Sequence, residues 1–90
     1  NNDMRFKSLN DLYERIYPAL RSKVRELNRN GLKYVHEEDV WNFLKRYKWS
    51  KSRDLDLGSM VNDIFEVNPL ELDEFVRDEI KNYRRRIQED

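Results

Sequence analysis

A chain of 90 residues, 38% apolar and 40% charged, has room for one modest core and not for two. It holds no cysteine, which excludes a disulfide framework and thiolate chemistry, and no run of the ~20 apolar residues that a helical membrane span needs. Its formal charge of zero is a cancellation: residues 1–53 carry 13 Lys/Arg against 7 Asp/Glu and residues 54–90 carry 5 against 11, so a dipolar molecule is expected.

Residues 1–7 precede any apolar period and read as flexible. Leu9, Leu12, Ile16, Leu20, Val24 and Leu27 then recur three or four apart, which is one face of a helix about twenty residues long. Pro18 removes one backbone bond and crowds the Glu14 carbonyl, yet the apolar phase runs through it. A single proline-kinked helix is therefore expected, stopped by Asn30 and Gly31. The second helix starts at Glu37, with Glu37, Glu38 and Asp39 in its first turn and Lys45, Arg46 and Lys48 in its last, as the helix dipole favours. With His36 as N-cap, Val35 and Val40 fall at the two positions of a hydrophobic staple. Val40, Trp41, Leu44 and Tyr47 form its apolar stripe.

Residues 50–56 lack a period and read as a loop. Leu57, Met60, Val61, Ile64 and Phe65 predict a third helix. Asn68-Pro69-Leu70-Glu71 supplies a cap, a proline suited to the first helical position and an acid at the third. The fourth helix, long and reaching through residues 69–90, carries Leu72, Phe75, Val76, Ile80, Tyr83 and Ile87 on one side, with Arg84, Arg85 and Arg86 as cations near its end. No segment alternates with period two. The fold class is all-α, a small four-helix array in one domain.

Nothing in the chain points to catalysis. His36 is the only histidine, and its three acidic neighbours at a helix start point in different directions, so no metal site is expected. Asp73/Glu74 and Asp78/Glu79 lie on a solvated face, whereas general acid–base work needs a carboxyl held dry. The two glycines are isolated, which removes a phosphate-cradling loop, and no hydroxyl has a base to activate it. We expect no enzyme activity and no cofactor.

The sharpest candidate for contact is Lys45-Arg46-Tyr47-Lys48-Trp49-Ser50-Lys51-Ser52-Arg53. Here Lys45, Arg46, Lys48, Lys51 and Arg53 could track phosphates of single-stranded RNA while Tyr47 and Trp49 offer faces for unpaired bases. The competing reading places Tyr47 in the core stripe, folds Trp49 over the helix end and leaves the cations to the helix dipole. Arg15, Arg21, Lys23, Arg25 and Arg29 form a second basic series on the first helix, read as a solvated face. The seven-residue gap between helices two and three is too long for a DNA-reading helix-turn-helix.

Several blocks resemble the small post-transcriptional regulator family of Gram-positive bacteria, which includes competence regulators. They are Leu12-Tyr13-Glu14 with Tyr17-Pro18-Ala19-Leu20 and Ser22-Lys23, then Gly31 through Asp39-Val40-Trp41, then Trp49, and last Val61-Asn62-Asp63-Ile64. They span about residues 9–66, and the tail from Pro69 departs from or extends the pattern. The resemblance implies a non-enzymatic, cytoplasmic regulator recruited to division sites or cell poles by a coiled-coil scaffold protein. Within its blocks, Tyr17, Pro18, Asn62 and Asp63 are the candidate partner-binding residues. Two function classes stay open: an RNA-contacting regulator, and a protein–protein adaptor that touches no nucleic acid. Opposite charges at the two ends also make a homodimer a candidate assembly.

Overall fold

The computed structural model describes residues 9–52 and 55–89, with side chains described from 10 to 52 and from 55 to 83. The flexible start expected at residues 1–7, the candidate contact Arg53, and the side chains of Arg84, Arg85, Arg86 and Ile87 lie outside the described residues. Four helices follow in order: α1 Leu9–Arg29, α2 Glu37–Tyr47, α3 Leu57–Phe65 and α4 Pro69–Glu89, with a short 3-10 turn at Trp49–Lys51 between α2 and α3. The fold is all-α, and no strand occurs among the described residues. None of their helices is long and apolar enough to cross a membrane.

α1 runs unbroken through Pro18. Both Pro18 and Glu14 are exposed, so the carbonyl that loses its partner sits on the wet side, where water can satisfy it. The helix ends in a Schellman motif. Gly31 adopts φ +110, the Leu32 N–H donates to the Leu27 carbonyl at 2.9 Å, and the Gly31 N–H donates to Asn28 at 3.2 Å. Asn28 then ties down the following turn, its amide donating to the Leu32 carbonyl at 2.7 Å.

The other helix starts are also set by side chains. The His36 N–H donates to Asp39 Oδ2 at 2.8 Å, and Val35 and Val40 on either side of that cap are both buried. Asp56 accepts from the Ser59 N–H at 2.8 Å to begin α3. Asn68 Oδ1 accepts from the Leu70 and Glu71 N–H groups at 2.8 and 3.2 Å, with Pro69 at the first helical position of α4.

The core joins Ile16, Leu20, Val24 and Leu27 of α1 to Val40, Trp41 and Leu44 of α2, Met60 and Ile64 of α3, and Leu72, Phe75 and Val76 of α4. α1 packs on α2 and α3, while α4 packs on α2. Four residues of the expected stripes are on the surface instead: Tyr47 is 50% exposed, Phe65 47%, Ile80 46% and Tyr83 59%. α4, with 21 residues, is about 31 Å long against about 16 Å for the 11-residue α2 it lies on, so its far half passes beyond its support. Phe65 ends α3, and Val67 takes the buried position after it.

Lys23 is not on the solvated face where its charge suggested. It is 4% exposed, and its ammonium donates to the Phe65 carbonyl at 3.0 Å and pairs with Glu26 at 3.6 Å. A cation is thus held at the C-terminus of α3, where unpaired carbonyls and the helix dipole favour it.

Lys23→Met keeps the volume and removes the donor, so it is expected to cost about 1–3 kcal/mol in urea denaturation. A midpoint equal to the parent's would show that the bond contributes nothing. His36→Thr places a better acceptor at the α2 cap and is expected to raise stability by up to about 1 kcal/mol, and a lower midpoint would contradict it.

Candidate functional site

At the end of α2 the chain tightens into the 3-10 turn, and this sends Trp49 inward. The indole is 5% exposed and meets Trp41 edge-on, with ring centroids 5.7 Å apart. Its Nε1–H donates to Asp63 Oδ2 of α3 at 2.9 Å, and the Lys48 ammonium pairs with the other oxygen of the same carboxylate at 3.1 Å. Trp49 is therefore a core residue, as the competing reading that folds it over the helix end has it.

The remaining members of the basic-aromatic segment diverge. Lys45 places its ammonium 5.7 Å from the Trp41 ring centroid, and Arg46 reaches toward α4, 3.6 Å from Glu79. Lys48 turns to α3, while Lys51 is exposed on the 3-10 turn. Lys45, Arg46, Tyr47, Lys48 and Lys51 are all exposed, but three of the cations are directed at three different helices of the protein itself.

The second candidate set also divides. Pro18 and Asn62 are exposed and Tyr17 is half-buried, whereas Asp63 is turned inward, its side chain 12% exposed and committed to Trp49 and Lys48. Tyr17 belongs to a run of aromatic contacts, with Tyr13 at 5.7 Å from Tyr17 and 5.1 Å from Trp41. Burial is the first cause that pushes the Tyr13 phenol above its ordinary value, followed by Glu38, Tyr17 and Glu37.

One surface joins residues that the sequence reading left on separate helices. Phe43, Tyr47 and Phe75 form a triad with centroids 5.4, 5.6 and 5.7 Å apart, joining α2 to α4. Around it lie two adjoining depressions that share Phe43, Tyr47 and Glu71. Glu74, Phe75 and Asp78 line one, and Lys48, Asp63, Glu66 and Val67 are among the lining of the other. The signal available was Phe43 itself, three residues after Val40 and four before Tyr47. No cluster that could hold a metal ion occurs among the described residues.

Asp63→Ala frees both the indole N–H and the Lys48 ammonium, and a loss of about 1–3 kcal/mol is expected, read by thermal denaturation as a fall of several degrees. An unchanged melting temperature would remove the tie from the account. For Tyr13, the folded state holds its phenolic proton more tightly than the unfolded chain does. This contribution is complete below pH 10 and is lost as pH rises through the raised value. Urea titrations at about pH 9 and pH 11 should therefore show a smaller decline in Tyr13→Phe than in the parent.

The profile of the post-transcriptional regulator family matches residues 9–89, so the match includes the tail after Pro69 that lay outside the resembling blocks. The post-transcriptional regulator ComN of Bacillus subtilis (strain 168) is 34% identical over 58 residues, covering 63% of this chain and 59% of that relative. The matched stretch thus spans about three-fifths of that relative's length. No solved structure matches the chain. With all four helices and both walls of the aromatic groove inside the matched span, the chain belongs to the post-transcriptional regulator family.

Proposed function

We propose that the protein is a non-enzymatic regulator that acts on messages through a protein partner, docked in the aromatic groove between α2 and α4. The observation that carries this reading is the dispersal of the basic-aromatic segment. An RNA site of the expected kind needs cations in one strip with aromatic faces between them. Here Trp49 is buried against Asp63, and Arg46 and Lys48 are directed to Glu79 and Asp63. The exposed aromatic surface lies instead among carboxylates, which repel phosphates and suit a protein. Recruitment to division sites or cell poles by a coiled-coil scaffold is a form that such docking can take, whereas pairing of two copies would use a face other than the groove.

The second reading, direct contact with RNA, retains Lys45, Arg46, Tyr47, Lys48 and Lys51 at the exposed end of α2. Fluorescent single-stranded RNA titrated across a salt series separates the two. The docking reading expects no saturable binding at low salt, and no change when Lys45, Lys48 and Lys51 are replaced together by Ala. Binding whose log K falls with log salt at a slope of about −3.5, as phosphate contacts by all five of Lys45, Arg46, Lys48, Lys51 and Arg53 would give, reduced in magnitude by about 2 in the triple variant, would overturn it in favour of RNA.

A further inference from the structure

The groove has a chemical character of its own. Its floor is the Phe43–Tyr47–Phe75 triad, in which Tyr47 remains 50% exposed. Glu71, Glu74, Phe75 and Asp78 stand at i, i+3, i+4 and i+7 on α4, which sets three carboxylates and one aromatic ring along a single helix face. At the neighbouring depression Glu66 adds a further carboxylate, beside Asp63 and the Lys48 ammonium that pairs with it. Among the described residues, Glu66, Glu71, Glu74 and Asp78 have no ion-pair partner.

The protein also displays what this surface accepts. The Arg46 guanidinium lies 5.6 Å from the Tyr47 ring centroid while pairing with Glu79 of α4 at 3.6 Å. A cation over an aromatic ring and beside a carboxylate gains from both. Arg46 and Glu79 are 63% and 51% exposed, so the pair is screened and readily displaced. Its own residue thus occupies, weakly and at the rim, the position a partner's cation would take.

We infer that the groove receives a cationic segment of a partner protein, with an Arg or Lys laid on Tyr47 between the acidic residues and an apolar neighbour against Phe43 and Phe75. This rests on the docking reading above and deepens it. The spacing of the walls sets the ligand's register. Glu71 and Asp78 are about 10 Å apart along the helix, which suits cations seven residues apart on a partner helix. A phosphate backbone would meet unpaired carboxylates here. A symmetric pair of copies joined through this face would set acidic wall against acidic wall, and like charges oppose that.

The test uses the full chain and two 14-residue Ala-based helical peptides. One carries two Arg seven residues apart with Leu between them, and the other carries Glu in place of Arg. Binding is followed by amide chemical-shift changes. The Arg peptide should shift Phe43, Tyr47, Glu71, Glu74, Phe75 and Asp78, and the Glu peptide should not. Glu71→Gln, Glu74→Gln and Asp78→Asn together should weaken binding about tenfold, while Tyr47→Phe retains it and Tyr47→Leu reduces it. Arg46→Gln should strengthen binding more than Lys51→Gln, which makes the same charge change away from Tyr47. Equal affinity in the neutralised variant, shifts on another face, dimerisation through the groove, or competition by oligouridine at these residues would each overturn the inference. Should RNA bind at the end of α2 while the Arg peptide still binds the groove, the docking function falls and the groove's cation preference stands. Should neither bind, the preference falls and docking passes to another face.

Discussion

The Asp63 carboxylate takes the Trp49 indole N–H on one oxygen and the Lys48 ammonium on the other, and the disposition of the whole surface follows from it. A tryptophan at a helix end carries a large apolar area and a donor that must be paired once it is buried. Asp63 on α3 supplies the acceptor, so the indole can enter the core against Trp41. That closes the exit of α2 onto α3 and draws Lys48 with it. Tyr47 is left as the last aromatic on the outer side, where Phe75 of α4 meets it at 5.7 Å. One inward-turned acceptor therefore removes an aromatic from the surface and leaves another as the floor of a groove.

The local signals in the sequence were good guides to the helices and poor guides to their neighbours. Asn30-Gly31, His36 before an acidic turn, and Asn68-Pro69 are residues whose effect is confined to one turn of backbone, and each acts at the place its chemistry suggested. Phe65, Ile80 and Tyr83 show the limit: spacing tells which side of a helix is apolar and not whether another element reaches that side. Lys23 shows the converse. It sits between Leu20, Val24 and Leu27 on the apolar face, and its period placed it inward while its charge argued outward. The Phe65 carbonyl resolved that conflict, and no reading of α1 alone contains it. The groove was illegible for a similar reason, because Phe43 and Phe75 are 32 residues apart and meet only when α4 lies on α2.

The division of charge along the chain does not survive folding intact. Lys48–Asp63 and Arg46–Glu79 each join the basic half of the sequence to the acidic half, so part of the expected dipole is cancelled where α2 meets α3 and α4. What remains is residual charge that folding leaves apart. Arg21, Arg25 and Arg29 stay exposed along α1, and Glu71, Glu74 and Asp78 stay exposed along α4. A partner meets these remnants and not the totals of the two halves.

α4 is held along roughly half of its length, by Leu72, Phe75 and Val76, and continues as a helix to Glu89. A rod clamped at one end is a lever. The same helix that forms the acidic wall carries an outboard arm more than two turns long, bearing Ile80 and Tyr83 in solvent. The arm and the wall are one continuous helix, so a load on the arm is carried to the wall. The overhang thus gives the molecule a handle at a distance from its mouth, connected to it by nothing more than the stiffness of one helix.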